Sequence, residues 1–159
     1  MLSVYADTSV IGGCFDIEFM EFSNVLFEEF KTGIKRLVIS DVVEQELVGA
    51  PIAVRLKLFD VPDDFKTRYN GTTQTETLAD AYIAAGALSN KSFDDAHHIA
   101  IATLSGARVL ASWNFKHVVN LDKIKLYNFI NLQMGYPTIE IRTPREILKP
   151  VNYEENQNV

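Results

Sequence analysis

Cysteine is nearly missing from this chain: its 159 residues include one, Cys14. A single thiol closes no internal disulfide, so the fold must hold through burial, and a reducing cytoplasm suits it. No apolar run reaches the roughly 18 residues of a membrane span. The first residues, Met1 to Asp7, carry neither a basic region nor a long apolar one, so no secretory leader is expected there. Positive charge is short too: 15 Lys and Arg stand against 21 Asp and Glu, a formal net charge of −6. That argues against passive binding of nucleic acid through a general positive field, though not against an enzyme that needs only local cations. Gly12-Gly13 is neither a phosphate-binding loop nor a dinucleotide fingerprint, and no Gly-x-Ser-x-Gly elbow occurs. Cys14 has no base that the pattern places beside it, and reads as a core residue.

What is present is enough for a core. Hydrophobic residues make up 47% of the chain, and a single domain of this length buries roughly 70% of its unfolded surface. No internal repeat or low-complexity tract interrupts it. Residues 1–148 read as one domain and 149–159 as a polar C-terminal tail. Arg108, Lys116, Lys123 and Lys125 cluster with only Asp122 against them, while Asp16 to Glu29 is acidic. An ordinary mixed surface explains both stretches as well as a binding patch does.

Leu2 to Ala6, Leu37 to Ile39, Arg108 to Ala111 and Thr138 to Ile141 read as short buried strands. Between them lie helical patterns near Glu21 to Phe30, from Ser40 to Gly49, near Val54 to Phe59, from Thr73 to about Leu88, from Ser92 to Ser105, and from Asn120 to Met134. Ser40 and Asn120 are good N-caps. Thr73 with Glu76, and Thr143 with Glu146, read as capping boxes. Asp7 to Gly13 and Val61 to Gly71 read as loops. Strands alternating with helices, without a hairpin signal, predict an α/β fold: a mostly parallel central sheet covered on both faces.

The informative residue is Glu46. Helical spacing places it between Val42 and Val43 and beside Leu47, in the apolar stripe of its helix. A carboxylate there needs a partner. In open parallel sheets ligands bind beyond the carboxyl ends of the strands. Asp7 follows the first strand, Ser40 and Asp41 the second, Ser112 and Asn114 the third, and Asp95 opens a helix within reach of that rim. Two carboxylates about 5 Å apart repel by roughly 3 kcal/mol at an effective dielectric of 20. A Mg2+ or Mn2+ ion converts that repulsion into ligation. Plainer readings stand beside this one. Asp7 is a good cap for the following turn, Asp95 occupies the third position after Ser92, Asp94 suits a helix start, and Glu46 is satisfied equally by an ion pair. His97 and His98 are more often packing residues than ligands, and the Asp94–His97 and Asp95–His98 spacings support zinc only weakly.

Four segments in order carry a resemblance: Val4-Tyr5-Ala6-Asp7-Thr8-Ser9-Val10, Ser40-Asp41-Val42-Val43-Glu44-Gln45-Glu46-Leu47, Asp94-Asp95-Ala96-His97-His98-Ile99-Ala100 and Ala111-Ser112-Trp113-Asn114-Phe115-Lys116-His117. Together they resemble the PIN-domain family, which includes the toxins of VapBC-type toxin–antitoxin modules. The resemblance implies a three-layer α/β/α sandwich and a Mg2+- or Mn2+-dependent ribonuclease. It matches the family's acidic positions to Asp7, Glu46 and Asp95, with Asp94 a neighbouring candidate. The hydroxyl after the first Asp falls on Thr8 or Ser9, and the fourth acidic position falls on or beside Asn114, where the chain departs from the pattern. Metal ligands are then Asp7, Glu46, Asp95 and Asn114. Thr8, Ser9, Ser112, Lys116 and His117 meet the RNA, and Asp94, His97 or His98 orients a carboxylate. The implied chemistry is in-line attack on a phosphodiester by a metal-activated water. The family further implies a small antitoxin that blocks the acidic pocket, and exposed apolar surface on the early helices suits such a partner or a homodimer. Asn114 motivates the alternative of a catalytically weak or silent PIN-fold binding or scaffold protein. A phosphatase is disfavoured, because Ser9 stands where the second Asp of an Asp-x-Asp would be.

Overall fold

Leu2-Ser3-Val4-Tyr5-Ala6 contains no turn former, and it becomes the central strand β1 (Leu2–Ala6) with Val4, Tyr5 and Ala6 fully buried. The structure, a computed structural model, describes residues 1–148; the expected tail at 149–159 lies outside the described residues. After β1 come α1 (Thr8–Gly13), α2 (Met20–Lys31), β2 (Lys35–Ile39), α3 (Asp41–Leu47), α4 (Ile52–Leu56) and β3 (Lys66–Arg68). The second half holds α5 (Thr73–Ala84), α6 (Phe93–Ser105), β4 (Val109–Ala111), α7 (Leu121–Gln133), β5 (Glu140–Arg142) and α8 (Pro144–Leu148).

The five strands form one sheet in the order β3-β2-β1-β4-β5, and every neighbouring pair is parallel. Helices pack on it in two groups, α2 with α1 and α8, and α5 with α6 and α7. This is the expected α/β/α sandwich with a parallel central sheet. Because the chain steps from β1 to β2 on one side and β4 closes on the other, the order reverses beside β1. Such a reversal opens a crevice at the carboxyl ends. Tyr5 pairs with Val38, and Ala6 with Ala111, so the strand ends are level and the residues following β1, β2 and β4 share one rim.

The structure differs from the sequence reading at several places. Asp7 to Gly13 is mostly helix, because the Asp7 carboxylate accepts the Val10 N–H at 3.3 Å and starts α1. Gly13 permits the next packing step: a Cβ there would lie 2.7 Å from Ser23 Oγ and 2.9 Å from Trp113 Nε1. Lys66–Arg68, expected as loop, is the edge strand β3, in register with Leu37 to Ile39. A polar edge strand has no apolar alternation to reveal it. The cap of α5 is Thr72, boxed with Thr75 rather than Thr73 with Glu76, and the helix ends at Ala84. The expected Thr143–Glu146 box is present in both directions. Glu46 sits at the rim of the apolar stripe, not at its centre: Val43 and Leu47 are the buried residues of α3, and 30% of the Glu46 side chain stays open.

Candidate functional site

Three elements aim acidic groups at the crevice. Asp7 ends β1 and is itself buried; its Oδ1 accepts the Val10 N–H and the Ser9 hydroxyl, the latter at 2.5 Å. Glu46 comes from the last turn of α3. Asp95 comes from the first turn of α6, half-buried, and its expected neighbour Ser92 makes no side-chain cap. Burial raises the Asp7 carboxyl above its ordinary 3.8, against the lowering effects of His98, Ser112, Ser9 and the Val10 N–H. Burial raises Asp95 as well, and Glu46 adds to the rise, while His117, His98 and Asn114 oppose it.

His98 stands among all three. Burial disfavours its charged form, but the hydrogen bond to Glu46 and the charges of Glu46, Asp7 and Asp95 outweigh this and hold the imidazole above its ordinary 6.5. Its Nε2 meets Glu46 Oε1 in a short contact. Burial alone would raise Glu46; the His98 bond and charge, with Thr8 against the carboxylate, bring it below its usual value. The other ring nitrogen, Nδ1, lies 2.8 Å from the Tyr5 hydroxyl, which lies 2.7 Å from Ser40 Oγ. Ser40 in turn accepts the Val43 N–H and caps α3. A buried chain Ser40–Tyr5–His98–Glu46 therefore runs from the start of α3 to its end. The sequence reading had His98 among the residues that orient a carboxylate, without naming Glu46 as that carboxylate, and missed Tyr5. Its signal was a tyrosine inside a buried strand, whose hydroxyl requires a partner.

The β4–α7 loop closes the rim. Ser9 Oγ accepts the Trp113 N–H at 2.9 Å and lies 3.5 Å from Ser112 Oγ. Asn114 turns its Oδ1 to the His117 N–H at 3.0 Å, and it stands near enough to Asp95 to lower that carboxyl. His117 faces Asp95, and its Nδ1 is buried with no hydrogen-bond partner among the described residues. Lys116 is exposed on the same loop.

The other named residues lie apart. Asp94 is exposed. His97 is turned away from the crevice, with Nε2 2.8 Å from Thr75 Oγ1 and its ring against Phe93. Consecutive helical residues point about 100° apart, so only one of two adjacent histidines faces a given site.

The donor set does not fit a cation as arranged. One Glu46 oxygen is engaged by His98, the Asn114 oxygen by the His117 N–H, and one Asp7 oxygen by Ser9 and Val10. Among the described residues, no group of three or more His, Cys, Asp or Glu side chains is placed to hold a metal ion. The carboxylates share one electrostatic field without forming a cage. A cavity of about 390 Å3 lies elsewhere, between α3, α4 and β3, bounded by Ile39, Leu47, Ile52, Leu58 and Arg68.

A parallel sheet reversing beside β1, with acidic groups at its carboxyl rim, defines a PIN-like fold. No protein-family model matches the chain, and no curated protein matches it in sequence. Solved structures do share its shape. VapBC2 from Rickettsia felis, bound to a DNA fragment from its promoter, superposes with a TM-score of 0.56 at 12% identity, over 89% of this chain and 98% of that one. VapC20 of Mycobacterium tuberculosis, described as a Sarcin-Ricin loop cleaving toxin, gives 0.53 at 14% identity, over 72% and 92%. At these identities the likeness is one of fold. No helix among the described residues is long and apolar enough to cross a membrane.

Proposed function

We propose that this chain, a single domain over residues 1–148 with a polar tail, is a PIN-fold binding protein whose acidic pocket is catalytically weak or silent. The observation that carries the reading is the His98–Glu46 contact. A positive group supplied by the fold already balances the acidic side chains, and the uncharged Asn114 stands beside Asp95 where another carboxylate would help hold a second metal. The half-buried Asp95 keeps negative charge toward solvent at the pocket's mouth. A partner protein of the antitoxin kind, presenting a basic side chain, meets that charge. The exposed apolar residues Val48, Ile52, Leu56 and Phe59 beside α3 give such a partner, or a second copy, area to cover. The one free thiol, Cys14, buried and pushed up to about 11 chiefly by burial, agrees with a cytoplasmic setting and makes no nucleophile.

Calorimetric titration with Mg2+ and Mn2+, paired with cleavage of structured and single-stranded RNA, tests this. The expected outcome is no saturable binding at millimolar cation and no cleavage that depends on Asp7. Cation-dependent RNA cleavage that is lost in Asp7→Asn would overturn it.

One observation favours a second reading: the charges of Asp7, Glu46 and Asp95 all act on His98, on a fold shared with a protein described as cleaving the Sarcin-Ricin loop. In that reading the chain is a Mg2+- or Mn2+-dependent ribonuclease, the toxin of a type II module. Asp7, Glu46, Asp95 and Asn114 are its ligand candidates. Thr8, Ser9, Ser112, Lys116 and His117 then line the RNA path, Lys116 as the exposed cation for a phosphate.

A further inference from the structure

The cavity of about 390 Å3 between α3, α4 and β3 is apolar at its base and cationic along its wall. Ile39, Leu47 and Leu58 line it and are buried. Val48, Ile52, Leu56 and Phe59 line it as well, yet each is more than half exposed. They form one apolar patch around an opening, and a patch of that kind rimmed by polar groups marks a binding site. The polar lining is Arg55, Lys66 and Arg68 against a single carboxylate, Glu44. Arg68 pairs with Glu44 and neutralises it. Lys66 is fixed at the wall, where its Nζ donates to the Leu58 carbonyl at 3.2 Å and lies 3.5 Å from the exposed Asp63 carboxylate. Arg55 makes no ion pair or side-chain hydrogen bond among the described residues. A chain with a net charge of −6 thus gathers an excess of positive side chains around its apolar cavity. The cavity is separate from the acidic crevice. Glu44 and Glu46 are two positions apart on α3 and project roughly 200° from each other.

We propose that this cavity binds a single-chain fatty carboxylate, its chain over Ile39, Leu47 and Leu58 and its head group against Arg55 and Lys66. The apolar base alone would accept any greasy molecule. The unpaired guanidinium selects an anion, and its planar fork matches the two oxygens of a carboxylate. Size selects further. About 390 Å3 lies at the low end of the roughly 300–1,000 Å3 of small-molecule sites, which suits one hydrocarbon chain and excludes a two-chain lipid. This inference goes beyond the reading above and does not depend on what the acidic crevice does: there the exposed side chains are area for a protein to cover, here they are the mouth of a ligand site.

Calorimetric titration of the full chain with decanoate, below the concentration at which it forms micelles and at about pH 8, well above the ordinary carboxyl range, tests this. Decanol and decyltrimethylammonium carry the same chain with a neutral and a positive head. Saturable decanoate binding is expected, with a rise in melting temperature as ligand is added. Octanoate, two CH2 groups shorter, is expected to bind more weakly by about fourfold per CH2. Arg55→Gln, at an exposed position with no partner to lose, is expected to weaken decanoate at least about tenfold, the scale of a charged hydrogen bond, and to leave decanol unchanged. Ile52→Ser weakens both. Decanol or decyltrimethylammonium binding as tightly as decanoate would remove the anion selectivity and overturn the inference, as would an Arg55→Gln variant that binds decanoate like wild type. No saturable decanoate binding assigns the groove to a protein partner and overturns it too. Sedimentation distinguishes a second copy: a wild type that dimerises, becomes monomeric in Ile52→Ser and takes up no decanoate gives the groove to its own partner chain.

Discussion

Asp7 and His98 both make the fold less stable as pH rises, in different intervals. Burial, the largest influence on Asp7, raises its folded-state pKa above 3.8. The folded chain then holds a proton that the unfolded chain has lost, so stability declines as pH rises through that interval and stays reduced above it. His98 is raised above 6.5 because Glu46, Asp7 and Asp95 outweigh its burial. Its contribution is complete below 6.5 and is lost as pH climbs through the folded value. Glu46 is lowered below 4.5 by the same contact, after the opposing effect of burial, so its share is lost as pH falls through its folded value. The pair is intact between those limits. Asp7→Asn keeps a good cap for α1, since Asn caps as well as Asp, and removes a buried charge. Its urea midpoint at neutral pH is expected to exceed that of wild type, with the melting temperature up by about 2–4 °C for each kcal/mol gained in a chain of this size. A variant that melts at or below the wild-type temperature would show that the Asp7 charge is compensated in the native state.

Elements were legible where local chemistry announces them. Ser40 and Asn120 cap α3 and α7 as their side chains suggest, each accepting the N–H three residues on. The central strand was readable because Val4, Tyr5 and Ala6 have no polar alternation. α1 was hidden because its sequence, Thr-Ser-Val-Ile-Gly-Gly, ends in two glycines that normally signal a turn. β3 was hidden because Lys-Thr-Arg gains its strand geometry only by pairing with β2. For the site, the acidic residues could be named from their places after strands and in helix first or last turns. Their partners could not: the Tyr5–His98 contact joins positions 93 residues apart, and no periodicity encodes it. Gly13 is an element-scale test of the same point. Alanine there costs little in helix propensity but must displace the Ser23–Trp113 pair, whose hydrogen bond is 2.8 Å. Overpacking of this kind costs about 1–3 kcal/mol. Gly12→Ala, with nothing within 4 Å of its Cβ, is the control and should not destabilise. Chemical denaturation of both variants checks the contrast, and equal midpoints would refute the packing account.

At the scale of the whole molecule, a five-stranded parallel sheet leaves two edges, β3 and β5. Both are three residues long and rich in charge, Lys-Thr-Arg and Glu-Ile-Arg, with Ile141 the inward residue of the second. Short charged edges oppose sheet-to-sheet addition between copies. On β3 that charge is also anchored: Arg68 pairs with Glu44 of α3, and Lys66 reaches the Leu58 carbonyl and the Asp63 carboxylate. Exposed pairs of this sort add about 0–1 kcal/mol each, so their value for stability is small and their value against association is larger. The exposed apolar side chains of α4 and Phe59 lie on the same side, next to the 390 Å3 cavity. Replacing Lys66 and Arg68 together by Val removes the charged guard while leaving a strand-forming sequence. The double variant is expected to fold with a stability within about 2 kcal/mol of wild type, the sum of two such pairs. In light scattering and sedimentation it is expected to associate at concentrations where wild type does not. Unchanged association would place the barrier to self-pairing elsewhere, in the twist of the edge or in the cover that the segment Lys57–Phe65 gives it.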